Sequence, residues 1–190
     1  MSEEKSDLEH YRLVPEQSRF SVQAFAEGLF SAFGHNPILA VRGYEGNAQF
    51  VPGTLQSAQA RLVIDANSLV VTGDVKEKDR IEIERMMRDE VLETAKYPEI
   101  VFTSTSVTSQ RLKEGRYRAR IIGELTLHGV TQRNLWITSE VTVGDGTLRA
   151  QGEMTLKQTD FGIKLVSVAG GTLKVKNEVK IGWELAGSKL

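Results

Sequence analysis

The 190-residue sequence predicts a mainly β protein: a single antiparallel up-and-down β-barrel of about eight strands, with one α-helix over about residues 79–96 and a short helical turn near 29–33. Three observations carry that prediction. Most of the chain consists of segments in which apolar residues alternate with polar ones, the period of a strand wet on one face. Turn residues break these segments at Pro52-Gly53, Glu114-Gly115, His128-Gly129, Gly144-Asp145-Gly146 and Gly170-Gly171. The strands between them run longer than the usual five or six residues, which suits hairpins closed into a barrel with no exposed edges. A two-sheet sandwich is the nearest alternative.

Taken in order, residues 1–10 (MSEEKSDLEH) are polar and acid-rich and are expected to form a disordered tail. They lack the basic start and apolar run of a signal peptide, so a cytoplasmic location is expected if Met1 is the natural start. Residues 11–187 then form one domain, with no internal repeat or linker. The first strand, RFSVQAFA, turns Phe20, Val22, Ala24 and Ala26 to one face. LFSAF follows as a helical turn ending at Gly34. SAQARLVIDA alternates through Ala58, Ala60, Leu62, Ile64 and Ala66.

The segment DRIEIERMMRDEVLETAKYP breaks the alternation. Ile83, Met87, Val91 and Ala95 recur at four-residue spacing beside Met86, one helical stripe. Asp79 is placed to cap it, with Glu82 three residues on, Glu84 and Arg88 form an i, i+4 pair, and Pro98 ends it. Three further strands alternate through Ala119, Ile121, Gly123, Leu125 and Leu127, through Leu148, Ala150, Gly152, Met154 and Leu156, and through Val179, Ile181, Trp183 and Leu185.

Composition is that of a soluble globular domain, with 40% hydrophobic and 26% charged residues. A net charge of -1 supplies no field for nucleic acid, and the absence of cysteine removes disulfide and thiolate chemistry. No apolar run is long enough to span a bilayer, so no stable membrane insertion is expected.

The stretch GELTLHGVTQRNLWI folds back at its His-Gly tip. A two-residue loop with unbroken register would turn Leu135 and Ile137 to the wet face. A three-residue loop, His128 to Val130, pairs Leu127 with Thr131, Gly123 with Leu135 and Ile121 with Ile137, and keeps the apolar face continuous. Gly129 then takes the left-handed conformation, and Trp136 points outward, toward a dimer contact or a covering helix. The inner face carries Ala119 and Gly123 among its leucines. The space they leave is expected to be part of an elongated apolar lumen, thinned on other strands by Ala58, Ala60, Ala150 and Gly152.

KYPEIVFTST, GELTLHGVT, TDFGI and the final NEVKIGWEL, in that order and spacing, resemble the YceI-like family over about Tyr11 to Leu185. The shared positions are Tyr97, Pro98, Phe102, Ser104 and Thr105, then Gly123, Leu125, Thr126 and Gly129 to Thr131, then Asp160, Phe161 and Gly162, with Asp79 at the helix start. The chain departs where many members have a His shortly after that Asp, an Arg at the position of Gln158, and a Pro after Thr131. The resemblance implies a lipocalin-like barrel that binds, carries or sequesters a long apolar ligand of isoprenoid, quinone or fatty acyl type.

Residues expected to meet such a ligand, in the lumen or at its rim, are Phe20, Phe33, His35, Leu62, Phe102, Ala119, Gly123, Leu125, Leu135, Ile137, Phe161 and Trp183. His35, between Gly34 and Asn36-Pro37, either ties down a turn or meets a head group. His10 lies in the tail, and His128 reads as a solvated turn residue. No two histidines have metal-ligand spacing, so no metal and no catalytic residue is assigned. Ser167 and Asp160 have no histidine brought to them by sequence, and Asp160 reads as a turn residue whose carboxylate bonds nearby N–H groups. Met86 and Met87 read as core before pliable wall. Arg116, Arg118 and Arg120 share a solvated outer face. Two other functions compete: an enzyme acting on the lipid through His35 with Asp79 or Asp160, and a structural or interaction module with a filled core. A homodimer is a further expectation.

Overall fold

The computed structural model describes residues 8–27, 36–168 and 173–190. Phe33, His35, the turn expected near 29–33 and the Gly170-Gly171 turn lie outside the described residues. Among the described residues there are fourteen strands: β1 (Glu9–Leu13), β2 (Arg19–Gln23), β3 (Ala26–Glu27), β4 (Ile38–Val41), β5 (Tyr44–Val51), β6 (Gln56–Asp65), β7 (Leu69–Thr72), β8 (Glu99–Lys113), β9 (Arg116–Leu127), β10 (Val130–Gly144), β11 (Thr147–Lys157), β12 (Ser167–Val168), β13 (Leu173–Val175) and β14 (Glu178–Lys189). Eight of them, in the order β1-β5-β6-β8-β9-β10-β11-β14, close into an antiparallel barrel because β14 pairs back onto β1. From β14 the sheet also continues through β2, β4 and β7. β12, β13 and β3 make a second, three-stranded sheet.

β1 and β2 are one course along β14, interrupted by a 3₁₀ turn at Pro15–Gln17. Proline has no N–H to give a ladder, and Ser18 repairs the gap. Its hydroxyl donates to the Val14 carbonyl at 2.7 Å and accepts from the Ala186 N–H at 2.9 Å. The barrel begins at Glu9, inside the stretch expected to be a tail. Glu9 and His10 pair with Phe50 and Gln49, and the Lys189 ammonium holds the Glu9 carboxylate at 2.6 Å.

The helix also differs in its limits. α1 runs Glu77–Met86 and continues as a π-helical turn over Met87–Val91. Lys76, not Asp79, stands at the cap and makes no side-chain cap bond, so Asp79 falls in the first turn. The helix ends well before Pro98, because Glu93 turns left-handed at φ 46° and the Thr94 N–H bonds back to the Arg88 carbonyl at 2.9 Å. The Glu84–Arg88 pair forms at 2.8 Å. Glu84 also accepts from the Val71 N–H at 2.9 Å, which pins α1 to β7.

The β9–β10 hairpin has the two-residue loop, with His128 and Gly129 both left-handed at φ 52° and 73°. Leu127 therefore pairs with Val130, and Thr131 pairs with Thr126. Gly123 with Leu135 and Ile121 with Ile137 nevertheless pair as expected. A β-bulge between Gln132 and Leu135, where Asn134 takes φ 58°, adds the missing residue and returns both side chains to the inner face. Trp136 stays outward and is 68% exposed.

Candidate functional site

The barrel encloses an elongated cavity of about 660 Å³. Its wall is built by alternation: inward residues of each strand face it while their neighbours face solvent. β14 contributes Val179, Ile181, Trp183, Leu185 and Gly187 in unbroken succession. β2 adds Phe20 and Val22, β6 adds Ala60, Leu62 and Ile64, and β9 adds Ile121, Leu125 and Leu127. Leu135 and Ile137 come from β10, and Phe102 and Ile100 from β8. One stripe of the helical segment, Ile83, Met87 and Val91 with Met86 beside it, covers one end. Among the described residues β7 has no strand on its far side, and the helix is fastened to it by the Glu84–Val71 bond.

The opposite end is closed. On five strands the lining stops and a buried cluster takes over: after Ala48 comes Phe50, after Ala60 Ala58, after Phe102 Val107, after Ile121 Ala119, and after Ser139 Val141. Tyr11 belongs to both the lining and the cluster. Its ring stacks on Phe50 with centroids 5.0 Å apart and planes 10° apart. Its hydroxyl donates to Glu9 at 2.7 Å. Burial, followed by that hydrogen bond, pushes the Tyr11 phenol up to about 12. The Lys189 ammonium first, and the Tyr11 hydroxyl second, hold the Glu9 carboxyl below the usual carboxylate range.

Few polar side chains are directed into the lumen, since Arg12, Asn47 and Arg61 of the lining strands are exposed to solvent. Ser139 is buried, donates to the Gln151 carbonyl at 2.9 Å and accepts from the Trp183 indole N–H at 3.3 Å. Gln158, one of the chain's departures from the family pattern, donates to the Lys176 carbonyl at 2.8 Å. Asp79 and Lys174 border the cavity toward the helix end. Among the described residues Asp79 is the one carboxylate of the lining. No cluster of three or more His, Cys, Asp or Glu side chains suited to a metal occurs among the described residues.

Of the expected ligand-facing residues, Phe20, Leu62, Phe102, Leu125, Leu135, Ile137 and Trp183 lie together around the cavity. Ala119, Gly123 and Phe161 do not line it. Ala119 is packed into the cluster that closes the end, and Phe161 is fully buried in the core beside the barrel rim. The space beside Gly123 belongs to a neighbour. A Cβ there would stand 2.5 Å from two ring carbons of Phe102 and 2.7 Å from the Thr103 carbonyl oxygen. Gly152 seats Trp183 in the same way, its Cβ position lying 2.5 Å from the indole ring. The glycines leave room for aromatic rings that line the lumen, and the alanines Ala48, Ala60 and Ala150 leave room in the lumen itself.

His128 is not a solvated turn residue. Its side chain is 11% exposed, with Nε2 2.6 Å from Glu93 and Nδ1 3.3 Å from the Phe161 carbonyl. It ties the hairpin tip to the end of the helical segment and to the 3₁₀ turn Gln158–Phe161, while the Tyr97 ring packs against it at 4.6 Å. Asp160 bonds through its backbone carbonyl, which accepts from the Gln132 side-chain amide at 2.6 Å. Met86 and Met87 serve as wall and, for Met87, as core too. Arg116 and Arg118 sit on the outer face against Glu140, at 2.6 and 3.9 Å. No helix among the described residues is long and apolar enough to cross a membrane.

Residues 11–186 match the family described as YceI-like domain. A UPF0312 protein of Pseudomonas putida strain W619 is 28% identical over 166 residues, covering 83% of this chain and 80% of the relative. Among solved structures, BcnA of Burkholderia cenocepacia superposes with a TM-score of 0.67 at 16% identity, over 92% of this chain and 98% of that one. A polyisoprenoid binding domain from Saccharophagus degradans superposes with a TM-score of 0.66 at 18% identity, over 95% and 98%. At these identities the two structural likenesses are likenesses of fold.

Proposed function

The chain belongs to the YceI-like family, and on that footing we propose that it binds one elongated apolar molecule in the barrel lumen, of isoprenoid, quinone or fatty acyl type, and carries or sequesters it without transforming it. The observation that carries this reading is the 660 Å³ cavity, long, apolar and closed at one end by packed aromatics. Its volume lies within the range of small-molecule sites. The polyisoprenoid binding domain that shares the fold supports the ligand class. Each methylene taken out of water contributes about 0.8 kcal/mol before ordering costs, so a long chain needs no charged anchor.

Two measurements test the proposal. Mass spectrometry of an organic extract of the purified protein is expected to show about one equivalent of a long apolar molecule. The chain has two tryptophans, Trp136 outside and Trp183 in the wall, so Trp136→Phe leaves Trp183 as the sole indole reporter. Its emission is expected to change saturably when a delipidated sample is given a long-chain fatty acid or isoprenoid alcohol. A clean extract together with an unresponsive Trp183 would overturn the binding reading.

A further inference from the structure

Resting on that binding reading, we infer that the closed end of the lumen measures its ligand: a chain enters with its apolar end first, and its greatest length is set where Ala48, Ala60 and Ala150 meet the Tyr11–Phe50 stack. The floor is fixed in place. Tyr11 is held by the Phe50 ring on one side and by Glu9, itself bound to Lys189, on the other. The two inward polar side chains at this depth are already committed, and Arg12, Asn47 and Arg61 of the neighbouring row are exposed to solvent. The Tyr11 hydroxyl serves Glu9, and the Ser139 hydroxyl serves both Gln151 and Trp183. A head group driven to the floor would lose its water and find no partner, a cost of several kcal/mol for most polar groups. A methyl end loses nothing there.

The depth is finite and readable. The lining on β14 spans eight residue steps from Val179 to Gly187. That is roughly 26 Å along the strand, or about 20 Å along the barrel after allowing for strand tilt. Near the floor the wall is small on adjacent strands in one row, since Tyr11 pairs with Ala48 and Ala48 with Ala60. Ala150 lies across from them on β11, paired with Leu185. Bulk added in that row takes length from the ligand without touching the rest of its path.

The test uses a homologous series of saturated straight-chain fatty acids, read by Trp183 emission in the Trp136→Phe background. In that parent, affinity is expected to climb about four-fold per added methylene and then stop at one chain length. Ala60→Leu and Ala150→Leu are each expected to reach that stop roughly three carbons earlier, one per side-chain carbon added. Leu148→Ala, which opens the floor and cannot overpack it, is expected to move the stop to longer chains. A stop at the same length in all folded variants, or affinity that climbs without a stop, would overturn the ruler and leave the binding reading intact. A parent that binds no chain at all overturns both.

Discussion

Replacing Gly123 by alanine separates a glycine that makes room for a ligand from one that makes room for a side chain. In open lumen, Gly123→Ala would stabilise the strand by about 0.5–1 kcal/mol, because glycine loses more backbone freedom on folding. The structure predicts the opposite. The added Cβ would lie 2.5 Å from the Phe102 ring and 2.7 Å from the Thr103 carbonyl oxygen, and the second of these is backbone and cannot rotate away. Overpacking of this kind costs about 1–3 kcal/mol. With the strand gain set against it, the net loss is about 0–2.5 kcal/mol, or up to roughly 10 °C in Tm for a chain of this size. Urea unfolding with an unchanged m-value measures it. Phe102→Leu in the same background removes the ring clash and leaves the Thr103 contact, so the double-mutant cycle should show a coupling of about 1 kcal/mol. A stabilised Gly123→Ala protein, or a cycle with no coupling, would falsify the seating of Phe102 over Gly123.

Three further outcomes follow from the same geometry. The Tyr11 phenol titrates near 10 in the unfolded chain and at about 12 in the folded one, so the stability it contributes is complete below pH 10 and is lost as pH rises through 12. Tyr11→Phe should flatten that part of the stability profile, and a wild-type profile already flat between those values would contradict the burial argument. His128→Asn keeps a residue that tolerates the left-handed turn but removes the bridge to Glu93 and Phe161, and should cost about 1–2 kcal/mol in thermal or chemical unfolding. An unchanged midpoint would mean the bridge contributes nothing. Trp136→Gln, on the solvated outer face, should shift stability by less than about 0.5 kcal/mol, and a larger loss would reveal a cover over that face.

Much of the barrel was legible because alternation is a strong signal wherever one face is dry. β6, β9, β11 and β14 were each readable from their own residues, and so was the outward Trp136. Helix limits were less so. Asp79 has the chemistry of a cap, yet the helix starts two residues earlier, at Glu77, and its hold on β7 comes from Glu84 and the Val71 N–H, a tertiary contact no local pattern announces. The hairpin register shows why local reasoning stalls. With pairing unbroken, only the three-residue loop would meet the demand for a continuous apolar face. The chain satisfies it with the shorter loop and a bulge at Asn134, an irregularity that no short-range preference announces.

The lumen itself was half legible, for a reason that lies in how barrels are built. A small residue on an inner face says only that something else occupies the volume, and the occupant comes from another strand. Phe102, paired with Leu125 on the β8–β9 ladder, reaches diagonally over Gly123, and Gly152 faces Trp183 directly across β11–β14. Both rings are anchored one strand away, where a single-strand reading does not look. Ala48, Ala60 and Ala150 have no such ring laid over them, so the same smallness becomes free space. The two cases are told apart by cross-strand partners. A glycine beside an aromatic on the neighbouring strand shapes the wall by holding that ring upright against the lumen. An alanine beside another alanine, as in the Tyr11–Ala48–Ala60 row, sets how deep the lumen goes.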